Sequence, residues 1–176
     1  MTRLLLVRHA RPAATFDTEL DPGLDEVGRR QADALAERLG GAVPLPVVTS
    51  PLRRARETAV PLARRWAQPV TVDEAVGEIP APTGDLPARG AWLREVLEAR
   101  WGDAETRLLT WRARLLEALL ALPADTVVFT HFVAINTAVG AATADDRLVS
   151  CTPGHASLTE LEAVGRSLVL RSAPGP

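Results

Sequence analysis

LLLVRHA (residues 4–10) and TVVFTH (residues 126–131) are the two stretches on which the reading of this chain turns. Leu4–Val7 is a continuous apolar run bounded by polar residues, the pattern of a strand buried on both faces. Thr126–Thr130 repeats that pattern in the second half. Each run leads at once into a histidine, His9 after Arg8 and His131 after Thr130. In open α/β sheets ligands bind in the crevice at the carboxyl ends of the strands, so if these two strands are neighbours both imidazoles face one crevice. A single histidine at a strand end is usually a hydrogen-bonded structural residue. Two at equivalent positions, one beside an arginine, point to a site.

Working outward, Asp25 offers an N-cap to EVGRRQADALAERL (residues 26–39), where Val27, Leu35 and Leu39 recur at helical spacing. Gly40-Gly41 is expected to end that helix as a C′ glycine does. Val47-Val48 reads as a second short buried strand. Ser50-Pro51 predicts an N-cap and first helical position for LRRARETAVPLARRW (residues 52–66), with Pro61 expected to kink or end the helix. Pro69 to Val72 suits a third strand at the sheet edge. Residues 79–89 carry a loop composition, and 91–100 and 105–122 read as amphipathic helices. Trp92, Trp101 and Trp111 are expected to pack these helices and not to form a base-stacking platform. A small-residue helix over 133–142 follows the strand that precedes His131. Residues 157–162 and 167–170 close the chain as two strands turning near Gly165. The alternation predicts an α/β fold, a three-layer α/β/α sandwich whose mostly parallel sheet contains an antiparallel strand, in one domain spanning residues 1–176.

Composition narrows the chemistry. A net charge of -2 lacks the footprint of a nucleic-acid binder, so no nucleic-acid partner is expected. All 20 basic residues are arginine, so an anion site must use Arg, His, backbone amides or helix ends, and neither a P-loop lysine nor a Schiff-base lysine is possible. Cys151 is the one cysteine, which forbids an intrachain disulfide, leaves a structural zinc site without partners and suits a reducing compartment. With no base beside it, an inert, partly buried thiol is expected. The apolar run before Arg8-His9 is too short for a signal-peptide core, and no stretch approaches a membrane span, so a cytoplasmic protein without a membrane partner is expected. Nothing in the sequence speaks to oligomeric state.

SPLRRARETA (residues 50–59) supplies a third element, with Arg53, Arg54 and Arg56 in the first turns of a helix that begins where a strand ends. Such a run is usually a solvated basic face. Arg53 and Arg56 are three apart and share a face, whereas Arg54 points about 100° away from Arg53. Arg54 is the one expected to differ, by sharing the crevice with Arg8 and the histidines. Two arginines and two histidines around one point describe a phosphoryl site.

LLLVRHA, LDEVGRRQA (residues 24–32), TSPLRRARETA (residues 49–59) and VVFTH (residues 127–131) together resemble the histidine phosphatase superfamily, also called phosphoglycerate-mutase-like. The similarity runs from Leu4 to about Gly140, and TPGHASLTELE (residues 152–162) extends it more weakly. The resemblance implies that His9 is the phosphorylated nucleophile, that Arg8 and Arg54 bind phosphate, and that His131 completes the phosphate pocket. It also implies an acid that protonates the leaving group, for which VGEIPAP (residues 76–82) fits best at Glu78, with Glu74 competing. Arg11 and Thr15 are candidate substrate contacts. No metal and no cofactor are expected.

Three positions depart from the family pattern or stand outside it. Ala10 replaces a glycine, which is tolerable if its φ stays negative. Phe132 also stands where glycine is common, and is expected to pack under the sheet more than to wall the pocket. His155, in a loop before the last strands, is expected to be structural or solvated, with a substrate contact as the alternative. The implied activity is hydrolysis of a small phosphorylated metabolite through a phosphohistidine. Alternatives are a phosphohistidine protein phosphatase, a mutase and, from another class, a catalytically inactive phosphate-binding module. The family's mutases carry a larger insertion, whereas only residues 79–103 are available here as a lid, which favours hydrolysis.

Overall fold

A computed structural model describes residues 1–175. Its elements in chain order are β1 (Thr2–Arg8), α1 (Glu26–Leu39), β2 (Val47–Thr49), α2 (Arg53–Trp66), β3 (Val70–Val72), α3 (Leu86–Leu97), α4 (Thr106–Leu120), β4 (Thr126–Thr130), α5 (Phe132–Thr143), β5 (Leu158–Val164) and β6 (Ser167–Ser172). The strands form one sheet in the order β3-β2-β4-β1-β5-β6. β1 and β4 are adjacent and parallel, with Leu4 opposite Thr126 and Arg8 opposite Thr130. β5 pairs antiparallel with both β1 and β6, so it is the one strand that runs against the others.

Alternation along β1 and β4 builds two cores, one on each side of the sheet. Leu4, Leu6 and Val128 pack with Leu115 and Leu119 of α4 and Ile135 of α5. Leu5, Val7, Val127 and Phe129 pack with Leu35 of α1 and Leu62 and Trp66 of α2. Both faces are covered, which is why these strands read as unbroken apolar runs, and the result is the expected three layers. No helix is long and apolar enough to cross a membrane, among the described residues.

Several local expectations are corrected. Ser50 is not the N-cap of α2: the cap position is Leu52, with extended backbone and no side-chain hydrogen bond. The Ser50 hydroxyl oxygen instead accepts from the Leu52 N–H at 3.2 Å and pairs with His131. Pro61 does not end α2, which continues to Trp66 because Leu62, Ala63 and Trp66 are buried on the sheet. Helix α1 does stop at the glycine pair, but Gly40 is right-handed, at φ -64°. A Cβ at Gly40 would lie 2.6 Å from the Ala36 carbonyl oxygen and 2.1 Å from Nε of the flexible Arg65 side chain. The left-handed caps fall on alanines, Ala67 (φ 50°) after α2 and Ala144 (φ 55°) after α5. Helix α3 begins inside the stretch assigned to loop, because Asp85 accepts from the Ala88 N–H at 3.0 Å and Pro87 suits a first turn.

Candidate active site

The parallel pairing of β1 with β4 brings His9 and His131 together, their ring centroids 5.2 Å apart. The His9 N–H donates to the Thr130 carbonyl at 2.9 Å, extending the strand pairing by one residue. His9 Nδ1 lies 2.8 Å from the Ala10 carbonyl. A carbonyl can only accept, so Nδ1 carries the hydrogen and Nε2 holds the lone pair. The Arg54 Nε–H donates to that Nε2 at 3.2 Å. Burial, then the Arg54 charge, with smaller contributions from Arg8 and His155, hold the His9 pKa well below the usual imidazole value. The ring is therefore a neutral base with one nitrogen fixed by backbone and the other directed at the Arg54 guanidinium.

Arg54 is delivered by the second residue of α2 and is only 7% exposed. Arg53 points to solvent and pairs with Glu57 at 2.7 Å, and Arg56 is exposed. Thr58, one turn on, donates its hydroxyl to the Arg54 carbonyl at 2.6 Å and accepts from the Ala10 N–H at 2.9 Å. It thus joins the first turns of α2 to the backbone next to His9. Ala10 keeps a negative φ and packs its methyl against Leu24 and Ala32. That cluster is why alanine fits there.

Arg8 is oriented by the loop before β5. Its Nη1 donates to the Pro153 carbonyl at 2.7 Å and its Nη2 to His155 Nε2 at 3.2 Å. His155 must therefore present a lone pair. Burial and the charges of Arg8 and Arg11 draw its pKa down to about 4, so it is neutral at pH 7. Asn136 Oδ1 accepts from the Ser150 and Cys151 N–H groups at 2.8 and 2.7 Å, anchoring the start of this loop to α5. Ala156, whose N–H donates to the Arg8 carbonyl at 3.0 Å, adopts a left-handed φ of 57°. The Arg8 guanidinium also stands 5.2 Å from the Phe132 ring centroid, and Phe132 lines the cavity. Phe132 is thus a pocket wall as well as a packing residue, and His155 is a site residue and not a solvated one.

His131 is fully buried and does not reach the cavity surface. Its Nε2 shares a 2.7 Å hydrogen bond with Ser50 Oγ, while Nδ1 has no partner among the described residues. Burial and the neighbouring His9, Arg54 and Arg8 keep it neutral. Glu78 lines the cavity, with Oε1 accepting from the Ile79 N–H at 2.9 Å. The turn before it is tied down by the Thr130 hydroxyl, which donates to the Val76 carbonyl at 2.7 Å. Burial raises the Glu78 pKa, against the lowering effect of backbone N–H groups, Arg54 and Arg8. Glu74 is exposed and outside the cavity. Arg11 and Thr15 lie on the rim. Cys151 stands apart from the cavity, its thiol pKa raised to about 11 by burial.

These groups line a cavity of about 580 Å³, much larger than a phosphate group requires. Arg8, His9, Arg54, Glu78 and His155 form its polar end. A neutral nucleophilic nitrogen, two guanidinium groups and a carboxyl group of raised pKa are equipped for phosphoryl transfer. Sequence reasoning did not find Thr58 or Asn136 and undervalued His155. Thr58 had one usable signal, its position one turn after Arg54.

The sheet order and this constellation define a class. The chain belongs to the histidine phosphatase superfamily (branch 1), whose family model matches residues 4–173. A glucosyl-3-phosphoglycerate phosphatase from Mycolicibacterium vanbaalenii is 41% identical over 80 residues, which are 43% of this chain and 36% of that protein. A metal-independent phosphoserine phosphatase from Arabidopsis thaliana is 36% identical over 78 residues, 42% of this chain and 33% of that protein. The matches therefore span about a third of the length of these curated relatives. A solved mycobacterial glucosyl-3-phosphoglycerate phosphatase, in complex with VO3, superposes with a TM-score of 0.74 at 29% identity and covers 98% of this chain and 97% of its own. The fold of Bacillus stearothermophilus YhfR matches with a TM-score of 0.81 at 24% identity, over 98% of this chain and 96% of that one.

Proposed function

We propose that this protein hydrolyses the phosphomonoester of a small metabolite through a phosphohistidine on His9, without a metal ion. The observation that carries the reading is the state of His9: Nδ1 bound to the Ala10 carbonyl at 2.8 Å, and Nε2 directed at the Arg54 guanidinium. The Nε2 lone pair attacks phosphorus in line, and the bond to the ester oxygen breaks as Glu78 gives that oxygen its proton. Water then attacks the phosphohistidine, Glu78 takes the water's proton, and the N–P bond breaks to release phosphate and neutral His9. Arg8 and Arg54 hold the equatorial oxygens throughout, and His131, buried behind His9 with its Nδ1 unpartnered among the described residues, backs the phosphate pocket. Arg11 and Thr15 stand at the rim, on the side of the cavity that the leaving group enters.

Two relatives that are themselves phosphatases support hydrolysis over transfer within a substrate. A raised Glu78 beside a neutral His9 argues against an inactive binding module, which needs neither. The single sheet, with cores on both faces, supports one functional domain over residues 1–176. A lone, inert thiol suits a cytoplasmic setting. Hydrolysis of p-nitrophenyl phosphate in excess chelator tests the proposal. Turnover should persist, and His9→Ala should retain less than about a thousandth of it. Loss of activity on chelation, restored by a divalent ion, would refute the metal-free path, and an active His9→Ala would remove the nucleophile.

A further inference from the structure

Away from its phosphate end the cavity changes character. Ala14 and Phe16 of the loop after His9 line it, as do Leu93 and Leu97, one turn apart on α3. Leu20 borders the same space and is 52% exposed, an apolar side chain left in water at the edge of a cavity. The polar side chains on these walls are Arg11, Thr15 and Glu19, and two of them are already engaged. Arg11 Nε donates to Asp25 at 2.6 Å, and the Thr15 hydroxyl donates to Asp17 at 2.6 Å. Glu19 is a carboxylate and repels an anionic leaving group. His155 is neutral at pH 7 and adds no charge, and Arg89, which does not line the cavity, lies 4.2 Å from the Phe16 ring centroid.

A sugar or carboxylic acid bound here would give up water for few free partners, Glu19 and the remaining N–H groups of Arg11, whereas a hydrocarbon would bury its own surface together with that of Leu20, Leu93 and Leu97. Resting on the phosphatase reading, we propose that the leaving group is an uncharged, largely apolar alcohol. The substrate is then an alkyl or aryl phosphomonoester and not the phosphate of a sugar acid or amino acid. The apolar wall selects it, and Arg8 with Arg54 holds its phosphate as it would any other.

The test is a series of n-alkyl phosphates from ethyl to octyl, whose leaving groups have nearly equal acidity, compared with phosphoserine and 3-phosphoglycerate. Each added methylene should raise kcat/KM about threefold to fourfold until the wall is covered. Hexyl phosphate should then exceed phosphoserine and 3-phosphoglycerate by about a hundredfold or more. Leu97→Gln should cut the gain per methylene to below about twofold. Leu20→Gln, at an exposed position that folding does not depend on, should flatten the series in the same direction. A flat series, or a preference for phosphoserine or 3-phosphoglycerate, overturns the inference. p-Nitrophenyl phosphate separates the two levels: if it is turned over while the series is flat, only the apolar leaving group falls. If it is not, the phosphatase reading fails and the inference with it.

Discussion

Replacing Arg54 with alanine removes the one cation that touches the proposed nucleophile. Arg54 Nε is 3.2 Å from His9 Nε2, so a phosphoryl group bonded to that nitrogen carries its oxygens within about 4 Å of the guanidinium. At that separation, and at the effective dielectric of a protein site, a unit charge pair is worth about 4 kcal/mol, a factor of roughly a thousand. Arg8 shares the load, so the expected loss in kcat/KM is about a hundredfold or more, the scale of removing one preorganised donor. Arg53→Ala and Arg56→Ala should stay within a few-fold of wild type, because both side chains lie in solvent. Arg54→Lys should recover only part of the loss, since an ammonium cannot reproduce the planar fork. The assay is kcat/KM on p-nitrophenyl phosphate together with competitive inhibition by vanadate. A second readout is the acid limb of the pH–rate profile. Arg54 helps depress the His9 pKa, so its removal should move that limb to higher pH. An Arg54→Ala variant within tenfold of wild type, or a larger loss from Arg53→Ala or Arg56→Ala, would refute the assignment.

Glu78→Gln should cost an alkyl phosphate about a hundredfold or more in kcat while sparing p-nitrophenyl phosphate, whose leaving group needs little protonation. Because the Glu78 pKa is raised, its acid form is present below that value and is lost as pH rises through it, so kcat for alkyl phosphates should fall on the basic side and Glu78→Gln should flatten that limb. Equal losses on both substrates would contradict the role. His155→Asn should keep an acceptor for Arg8 and stay within a few-fold, whereas His155→Leu should lose about tenfold to a hundredfold and weaken vanadate in parallel. A wild-type His155→Leu would mean that the loop does not orient Arg8. Ala67→Gly and Ala144→Gly should each raise the melting temperature by about 1–3 °C by relieving a left-handed alanine, and a lowered value would contradict that strain.

The central site residues were legible because chemistry at a strand end leaves a sharp local mark. An apolar run that stops at Arg8-His9 or at His131 specifies both the element and where its side chains emerge, and the resemblance of SPLRRARETA to the family motif sets Arg54 apart from Arg53 and Arg56. What was misjudged depends on contacts distant in sequence. Ser50 carries a strong capping signal, yet its hydroxyl is claimed by His131, 81 positions away. Gly40 reads as a left-handed helix terminator, yet it is right-handed, and the left-handed caps fall on Ala67 and Ala144. His155 reads as an ordinary loop histidine, and it acquires a role only because β5 pairs with β1 and carries the preceding loop onto Arg8.

The amino-acid order alone determined the alternation of strands and helices, the two-sided burial of β1 and β4, and the identity of His9, Arg8, Arg54 and His131 as a set. The elements follow from periodicity, and the residue set from histidines and arginines at the ends of those elements together with the resemblance of their motifs to the family. Only the tertiary structure set Glu78 apart from Glu74 in position, by bringing one to the cavity and leaving the other in solvent. It also made Phe132 a wall and Arg11 a paired charge, and it gathered Phe16, Leu20, Leu93 and Leu97 around one space. The physical reason is that a phosphate site is built from a few charged groups at positions the backbone itself dictates. The chamber beside it is built from apolar side chains, which look alike in sequence whether they face a core, a solvent boundary or a substrate.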